Sequence, residues 1–315
     1  MTKPQKSAPD GPRREREPKP SGAANPSKSR SARENRACAP GLYVVSTPIG
    51  NAQDVTLRAL ELLRTADALI VEDSRVTARL LAIHGITRSL IVYNDHAGER
   101  ERNAILARLK SGACLALVSD AGTPLVSDPG FKLVRAAIAK NIPVHVLPGA
   151  SAALSALVLS GLPPDRFMVC GFLPAKGGQR RAALRELASV PATLIFYEAP
   201  QRISETLSDM QAVLGDREAV VAREMTKLHE DTRRGLFSEL IAHFANGDVK
   251  GEITIVIAPP SPEKAAEPAL DERLATRLKE ESLKEAVAGV AAETGLPRKT
   301  VYARALKLAK RSNDA

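Results

Sequence analysis

Short apolar runs alternate with amphipathic stretches throughout residues 42–160, and this alternation constrains the fold of the 315-residue chain more than any other feature. Five runs rich in strand-forming apolar residues are each followed by a stretch with the apolar spacing of a helix. Strands buried on both faces have continuous apolar runs, and intervening helices make successive strands parallel. The pattern predicts an α/β domain at 41–162 with a largely parallel sheet.

Residues 162–165, Leu-Pro-Pro-Asp, interrupt this alternation and predict a domain boundary. A second α/β domain is predicted at 163–258, where Gly-Asp and Lys-Gly turns favour more antiparallel pairing. Four prolines follow in residues 259–268, which predicts a linker at 259–270. The sequence therefore predicts two consecutive α/β domains followed by a separate C-terminal segment.

The net charge of +9 lies entirely in the two ends of the chain. Residues 1–40 carry +6 and residues 271–315 carry +3, whereas the part between them is neutral. Residues 1–40 have seven prolines and few aliphatic side chains, so we expect a disordered basic tail. Such a tail either attracts a polyanion or only aids solubility, and the sequence leaves both open.

The last 45 residues have the pattern of a helix, a turn at Gly295 and a second helix. We therefore predict a helical, helix-turn-helix-like module at 271–315. Cations grouped on its second helix favour contact with nucleic acid, and a plain helical hairpin with a solvated basic face is the alternative. The candidate RNA-binding residues are Arg298, Lys299, Arg304, Lys307, Lys310 and Arg311.

Composition argues against several classes of protein. Aromatic residues make up only 3% of the chain, which disfavours a surface that binds nucleic acid mainly by stacking bases on rings. No set of cysteine, histidine and aspartate residues has zinc spacing, so no metal is expected. The most apolar stretch, residues 150–162, is shorter than the roughly 20 residues of a membrane helix. Because no secretory signal is visible either, we expect a cytoplasmic protein that does not enter a membrane.

Four loops rich in glycine or proline, or with paired charges, follow predicted strands of the first domain. They span residues 47–51, 72–75, 119–130 and 147–152. Ligands of open α/β sheets bind beyond the carboxyl ends of the strands, so four such loops favour a binding site over ordinary tight turns. No phosphate-binding glycine motif is present, and Asp120 and Asp128 stand in the longest loop. A neutral or cationic small ligand suits these loops; a sulfonium such as S-adenosylmethionine fits, but composition alone does not select it.

Eight motifs in residues 42–258 resemble those of the tetrapyrrole-methylase superfamily and, within it, the ribosomal RNA small subunit methyltransferase I family. The motifs are TPIGN at 47–51, EDSR at 72–75, VSDAGTPLVSDPG at 118–130, LPGASA at 147–152, GFLP at 171–174, FYEAPQR at 196–202, REMTKLHE at 223–230 and KGEITIVI at 250–257. They occur in the family's order, and the aspartate-rich loop and REMTKLHE are highly specific together. Ser74 and Asp231 depart from the family's usual threonine and glutamate, and neither change removes a group that the chemistry needs.

The resemblance implies an enzyme that uses S-adenosylmethionine to methylate the ribose 2′-oxygen of a cytidine in 16S rRNA, conventionally cytidine 1402. It also implies two α/β domains with the cofactor in the cleft between them, the small ribosomal subunit as partner, and a homodimer. The residues that it assigns to the cofactor are Pro48, Gly50, Asp120, Ala121, Gly122, Thr123, Pro124, Val126, Asp128, Ala150, Ser151, Phe196, Tyr197, Ala222 and Gly251.

A ribose hydroxyl attacks a methyl group readily only when a base removes its proton or a cation stabilises the alkoxide. Lys227 is our first candidate for either role, and Glu224 or Glu230 would adjust its pKa. Arg223 would lower the pKa of Lys227 or hold an rRNA phosphate. The reserve candidates are Glu252, Asp73 and the loop histidine His96. A purely structural role, as a member of an ion-pair network or as an exposed loop residue, is the alternative for each.

Two other functions stay open. A methyltransferase acting on a tetrapyrrole precursor or a diphthine intermediate would have the same two domains and the same cofactor. A small substrate, however, gives no reason for the basic C-terminal helices. A non-enzymatic nucleic-acid-binding regulator would instead use the first two domains as a ligand sensor.

Overall fold

The computed structural model describes residues 38–315, except for 95–96, 246, 248, 295 and 314–315. For residues 262–269, 307 and 309–313 only the helical backbone is described. A disordered tail is predicted at 1–40, and residues 1–37 of it lie outside the described residues. The candidate His96 and the turn residue Gly295 lie outside them as well.

The first lobe is the parallel α/β domain that the alternation predicts. Its elements are β1 (Gly41–Val45), α1 (Leu57–Thr65), β2 (Ala68–Val71), α2 (Ser74–Ile83), β3 (Leu90–Val92), α3 (Glu99–Lys110), β4 (Cys114–Val118), α4 (Phe131–Ala139), β5 (Val144–Leu147) and α5 (Ala152–Ser160). The strand order is β3-β2-β4-β1-β5, and each of these pairings is parallel. The four predicted loops follow β1, β2, β4 and β5, so they lie at the same edge of the sheet.

Capping and burial explain why these segments form their elements. Thr56 precedes α1, and its hydroxyl oxygen accepts a hydrogen bond from the backbone N–H of Ala59 at 3.1 Å. Leu42, Leu115 and Leu133 from two strands and a helix are fully buried in one core cluster. Burial of one such side chain stabilises the fold by about 1.5–3 kcal/mol. The sheet is therefore a rigid base for the loops at its edge.

The second lobe is a mixed sheet with helices. Its elements are β6 (Phe167–Phe172), α6 (Gly177–Leu187), β7 (Thr193–Glu198), α7 (Ile203–Leu214), β8 (Glu218–Arg223), β9 (Asp231–Leu236), α8 (Phe237–Phe244) and β10 (Ile253–Ile257). The strand order is β6-β7-β10-β8-β9; β6 and β7 are parallel, and the other pairs are antiparallel as expected. β9 is not predicted from the sequence, because this edge strand, Asp-Thr-Arg-Arg-Gly-Leu, has no apolar run.

α5 joins the two lobes. Ala153, Ala156 and Leu157 of this helix pack against Ile195 of β7 and Val256 of β10 in one buried cluster. The helix that ends the first lobe therefore covers a face of the second sheet. This shared core holds the loops of both lobes around a common space.

A buried ion pair connects α6 to α7 in the second lobe. The side chain of Arg180 is 0% exposed, and its Nε donates a hydrogen bond to Oδ2 of Asp209 at 2.7 Å. Arg180 also pairs with Glu205 at 2.7 Å, and Arg181 donates to Oδ1 of Asp209 at 2.9 Å. Asp209 thus neutralises a charge that has no access to water.

The C-terminal module consists of α9 (Pro262–Arg277), α10 (Leu283–Thr294) and α11 (Arg298–Asn313). Leu274, Val290 and Val301 form its core, so the helix-turn-helix-like prediction is confirmed. The predicted linker at 259–270 is wrong from Pro262 onward, where α9 begins. Proline is tolerated in the first helical turn because its missing N–H is not needed there, and the Glu, Lys and Ala that follow favour a helix. None of the helices in the described part of the chain is both long and apolar enough for a membrane crossing.

Candidate active site

A cavity of about 430 Å³ lies between the loops of the first lobe and the strands of the second. Nine of the residues that the resemblance assigns to the cofactor line it: Asp120, Ala121, Gly122, Thr123, Val126, Asp128, Ser151, Tyr197 and Gly251. The others assigned to the cofactor, which are outside this lining, are Pro48, Gly50, Pro124, Ala150, Phe196 and Ala222. The structure therefore brings most of the predicted set to one place.

Strand alternation separates some of the predicted residues from the cavity. Phe196 and Tyr197 are neighbours in β7, so their side chains lie on opposite faces of the sheet. Tyr197 lines the cavity, whereas Phe196 is buried in the core of the second lobe. Ala222 is buried among the residues that pack around α5. Phe196 and Ala222 therefore pack in the core beneath the strands that form the cavity wall.

Twelve further residues line the cavity, and none of them is among the residues that the resemblance assigns to the cofactor. They are Ile49, Glu72, Ser127, Ala152, Phe172, Glu198, Ala199, Pro200, Met225, Glu252, Ile253 and Thr254. All twelve lie within the eight quoted motifs. The motifs therefore locate the site, but which side chains of each motif face the cavity depends on how each loop and strand is oriented in the fold.

Every charged side chain in the described lining of the cavity is a carboxylate. These are Glu72, Asp120, Asp128, Glu198 and Glu252. Burial raises the pKa of Asp120, although a hydrogen bond from the backbone N–H of Asp73 opposes this effect. Such a cavity repels anions and attracts a positively charged group such as a sulfonium.

Gly122 shapes the aspartate-rich loop where it meets the loop at 47–51. Gly122 and Thr47 exchange two backbone hydrogen bonds, of 2.8 and 3.1 Å. Gly122 has φ +77°, and a Cβ built on it would lie 3.4 Å from Cγ2 of Ile49. The glycine therefore leaves this backbone open to a ligand. The open backbone and the acidic lining together fit S-adenosylmethionine.

Glu198 anchors the wall of the cavity that the second lobe provides. Its side chain is 1% exposed and accepts hydrogen bonds from Oγ1 of Thr206 at 2.6 Å and from the backbone N–H of Ala199 at 2.8 Å. Arg202 lies 3.3 Å from the same carboxylate and donates to the carbonyl oxygen of Leu173 at 2.9 Å. This network ties the motif FYEAPQR to the motif GFLP.

Lys227 lies next to the cavity, on the loop between β8 and β9. Its Nζ donates hydrogen bonds to Oε1 of Glu224 at 2.8 Å and to Oε2 of Glu252 at 3.0 Å. Glu252 itself lines the cavity. The structure therefore brings Lys227 and Glu224 together as predicted, and it adds the reserve candidate Glu252 as a second partner.

Glu230 and Arg223 make other contacts than those expected. The carboxylate of Glu230 accepts a hydrogen bond from the backbone N–H of Thr226 at 2.7 Å. Arg223 donates to the backbone carbonyl oxygen of Lys250 at 3.3 Å. Both contacts hold the shape of the loop, so Glu230 does not take the place beside Lys227 that the sequence analysis considers for it.

The two carboxylates keep Lys227 in its charged form. Partial burial of the ammonium group opposes the charge, but hydrogen bonds to Glu224 and Glu252 outweigh this effect and raise the pKa of Lys227 above 10.5. A lysine that acts as a general base needs a lowered pKa instead. Of the two roles left open by the sequence, this geometry favours stabilisation of an alkoxide.

The loop that carries Lys227 has a strained backbone. Glu224 has φ +51° and Thr226 has φ +66°, in the left-handed region that residues with a side chain avoid. Each such residue costs on the order of 1 kcal/mol. The first lobe holds the loop in place, because the backbone N–H of Asn51 donates to Oγ1 of Thr226 at 3.0 Å.

The remaining reserve candidate, Asp73, caps α2. Hydrogen bonds from the side chain and the backbone of Arg75 lower the pKa of Asp73 to about 2. The carboxylate is therefore ionised and engaged with Arg75, which explains its place in the motif EDSR without a catalytic role.

The candidate RNA-binding residues of α11 divide into three groups. Arg304 forms a two-pronged ion pair with Asp271 of α9, at 2.5 and 2.6 Å, so it stabilises the module from inside. Arg298 and Lys299 are exposed beside a second pocket, between α10 and α11. The side chains of Lys307, Lys310 and Arg311 lie outside the described part of the structure.

Two protein families match most of the chain. Residues 41–241 match the tetrapyrrole (corrin/porphyrin) methylases, and residues 264–309 match the RsmI C-terminal HTH domain. Diphthine synthase has a similar fold, with a TM-score of 0.54 and 18% identity over 69% of this chain and 89% of that chain. The methyltransferase CobJ has a TM-score of 0.54 and 17% identity over 70% and 94%. The fold and the acidic cavity define an S-adenosylmethionine-dependent methyltransferase of the tetrapyrrole methylase class.

Curated relatives are more similar in sequence than these structures. The ribosomal RNA small subunit methyltransferase I of Mesorhizobium japonicum is 46% identical over 282 residues, which cover 89% of this chain and 96% of the relative. The protein of the same name from Erythrobacter litoralis is 50% identical over 271 residues, which cover 85% and 95%. The chain belongs to the ribosomal RNA small subunit methyltransferase I family, which confirms the resemblance drawn from the motifs.

Proposed function

We propose that this chain transfers a methyl group from S-adenosylmethionine to the ribose 2′-oxygen of a cytidine in 16S rRNA, at cytidine 1402 by the family's convention. The observation that carries the proposal is the acidic cavity with an ammonium group at its edge, where Glu252 holds Lys227. The names of the relatives support small-subunit rRNA as the substrate.

The cavity is suited to hold the cofactor. S-adenosylmethionine, when bound, supplies an electrophilic methyl group on a positively charged sulfur. The carboxylates of Asp120 and Asp128 stabilise that charge, and the backbone at Gly122 allows close approach. Phe172 and Tyr197, whose ring centroids lie 5.5 Å apart, form an apolar part of the wall.

Lys227 acts on the attacking oxygen. The ribose oxygen would form a bond to the methyl carbon while the bond from that carbon to sulfur breaks, and the hydroxyl proton would pass to water, so negative charge develops on the oxygen. An ammonium group that is already oriented by Glu224 and Glu252 can donate a hydrogen bond to this oxygen and stabilise the charge. Positioning of the hydroxyl in line with the methyl group supplies further rate.

Small-molecule substrates are the main alternative, since diphthine synthase and CobJ have the same fold. The C-terminal module argues against them, because a tetrapyrrole or a diphthine intermediate does not need exposed cations such as Arg298 and Lys299. A non-enzymatic regulator would need no oriented ammonium group beside the cofactor cavity.

Methyl transfer from labelled S-adenosylmethionine distinguishes these functions. The full chain is incubated with small ribosomal subunits, with free 16S rRNA or with a porphyrin precursor. We expect label on the ribose of one cytidine, mapped by nuclease digestion and mass spectrometry. Label in the porphyrin precursor, or tight cofactor binding without any transfer, would refute the proposal.

Gly50→Ala is expected to lower the rate of this methyl transfer on the order of 100-fold, because a small displacement of a catalytic group has effects of this size. A Cβ on Gly50 would lie 2.6 Å from Cγ of Lys227 and 2.7 Å from Oγ1 of Thr226, so the loop must move. Initial rates with small ribosomal subunits measure the effect. Gly178→Ala is the control, since nothing lies within 4 Å of its added Cβ. If Gly50→Ala reacted as fast as the unchanged protein, the position assigned to the loop that carries Lys227 would be contradicted.

We also propose that the chain works as a homodimer in the cytoplasm, as the resemblance implies. Large apolar side chains are exposed on three consecutive elements of the first lobe. They are Phe131 and Ile138 of α4, Val146 of β5, and Leu154 and Val158 of α5. β5 is an edge strand of its sheet. A second copy of the chain would cover this apolar surface, which supports the proposal.

A further inference from the structure

A pocket of about 340 Å³ opens between α10 and α11 in the C-terminal module. Lys284, Val287 and Ala288 of α10 line it, together with Arg298, Lys299 and Tyr302 of α11. We call these six residues the module pocket. None of them belongs to the cofactor cavity or takes part in the mechanism described above.

The module pocket has an apolar floor and one aromatic ring. Val287 is buried, whereas Tyr302 is 46% exposed. The neighbouring residue Val301 and the residue Ala305 are buried in the core of the module, so the helix holds Tyr302 on its outer side. A half-exposed ring beside a buried aliphatic floor offers a flat apolar surface to a planar ligand.

Four anionic side chains described in the module are engaged with partners outside the module pocket. The contacts are Asp271 with Arg304, Glu281 and Glu293 with Arg277, and Glu285 with Ser282. Among the described residues, no carboxylate pairs with Lys284, Arg298 or Lys299. Three cations around an apolar floor are therefore available to an anion from outside the chain.

We propose that the module pocket binds one unpaired nucleotide of RNA, with the base stacked on Tyr302 and the neighbouring phosphates held by Lys284, Arg298 and Lys299. A base reaches such a ring only when it is not stacked within a duplex. The cations bind the phosphate backbone of the RNA, and this part of the affinity does not depend on the RNA sequence. The inference rests on the proposed function, since it takes rRNA as the substrate, and it specifies single-stranded RNA as what the module recognises.

The low aromatic content of the chain agrees with this arrangement. A surface built mainly from stacking rings is disfavoured by a composition with 3% aromatic residues. The module pocket needs one ring only, and charge provides the rest of the binding. The bound nucleotide is a different one from the cytidine that receives the methyl group, because the pocket lies on the C-terminal module and the reacting group lies between the lobes.

Tyr302→Ala is expected to weaken binding of the full chain to an unstructured RNA of about 16 nucleotides by about 5- to 100-fold, the range for one base stacked on a ring. Fluorescence anisotropy at constant salt measures the dissociation constant. Tyr302→Phe retains the ring and should bind within about twofold of the unchanged protein. Leu306→Ala, at an exposed apolar position one turn along α11, is the matched control and should leave affinity unchanged.

A duplex and a salt series separate stacking from charge. The same RNA annealed to its complement hides its bases, so Tyr302→Ala should change affinity for the duplex by less than about twofold. Lys284→Ala, Arg298→Ala and Lys299→Ala should each reduce the slope of log K against log salt by about 0.7 for the single strand. Tyr302→Ala should leave that slope unchanged.

Three outcomes would overturn the module pocket as a stacking site: unchanged affinity in Tyr302→Ala, equal weakening for single strand and duplex, or a loss in Tyr302→Phe as large as in Tyr302→Ala. Methyl transfer to small ribosomal subunits by the unchanged protein is measured in parallel. If it occurs while Tyr302→Ala binds RNA normally, only this inference fails. If no rRNA is methylated, the proposed function fails, and the Tyr302 series still decides whether the pocket stacks a base.

Discussion

Lys227→Ala is expected to lower the rate of methyl transfer to small-subunit rRNA by about 100- to 1,000-fold, the loss that follows removal of one group stabilising a developing oxyanion. The ammonium group of Lys227 is held by Glu224 and Glu252 and cannot be replaced by either carboxylate. Cofactor affinity should change by less than about threefold, since the interaction is made only in the transition state. Single-turnover rates and calorimetric titration with the cofactor measure the two quantities.

Leu228→Ala is the matched control for this experiment. Leu228 follows Lys227 on the same loop, and it is 91% exposed, so its truncation should leave the rate unchanged. A rate in Lys227→Ala close to that of the unchanged protein would assign the stabilising role to another group. An equal loss of cofactor binding and rate would show that Lys227 supports the cavity and does not act on the oxygen.

The pH dependence of the rate tests the charge state of Lys227. Because hydrogen bonds to Glu224 and Glu252 raise the pKa of Lys227 above that of a free lysine, the ammonium form prevails at neutral and mildly alkaline pH. A role as alkoxide stabiliser therefore predicts no gain in rate from deprotonation of this lysine between about pH 7 and pH 10. A rise in rate through this range that disappears in Lys227→Ala would instead indicate a general base.

Asp209→Ala is expected to destabilise the protein by about 3–5 kcal/mol, the usual effect of removing one partner of a buried ion pair. The guanidinium group of Arg180 would lose its main partner while its side chain stays buried. For lobes of this size we expect the midpoint of thermal unfolding to fall on the order of 10 °C. Calorimetry or circular dichroism measures the change.

Glu205→Ala is the control for this pair. Glu205 also contacts Arg180, but its side chain is 67% exposed, so its loss should cost less than about 1 kcal/mol. Equal effects of the two substitutions would contradict the assigned importance of burial. An unchanged unfolding temperature in Asp209→Ala would also contradict the prediction.

The same pair predicts how stability depends on pH. Burial opposes the charge of Asp209, but hydrogen bonds from Arg181 and Arg180 outweigh it and lower the pKa of this carboxyl below 3.8. The unfolded chain therefore takes up the proton more readily than the folded one, so acid favours unfolding. The stabilisation by Asp209 is complete above about pH 3.8 and is lost as pH falls through the lowered pKa. Asp209→Ala should remove this part of the acid sensitivity.

The architecture of the two lobes is predictable from the sequence because strand burial and apolar runs coincide there. Ala68–Val71 and Cys114–Val118 are strands in which every residue is buried, so periodicity identifies them directly. β9 lacks this signal because an edge strand pairs through its backbone and needs no apolar side chains. The helix from Pro262 is hidden for a different reason, since Pro262, one of the four prolines that indicate a linker, is compatible with the first position of a helix.

The partners of charged residues could not be predicted in the same way. Glu252 contacts Lys227 across 25 positions of sequence, and Asp271 contacts Arg304 across 33. Local patterns contain no signal for such pairs, because the fold decides which acid meets which base. The motif therefore identifies Lys227 as a candidate. Its contacts with Glu224 and Glu252, which favour the charged form and the proposed role, are visible only in the structure.

The apolar face of α5 lies on the sheet of the neighbouring lobe, and this limits how the chain can be divided. A cut after residue 162 would leave one fragment with a bare apolar helix and the other with an uncovered sheet, and each would aggregate or recapture the missing half. The catalytic body is therefore a single cooperative folding unit, although it has two sheets. Its donor-binding loops acquire their final spacing only when both halves have condensed.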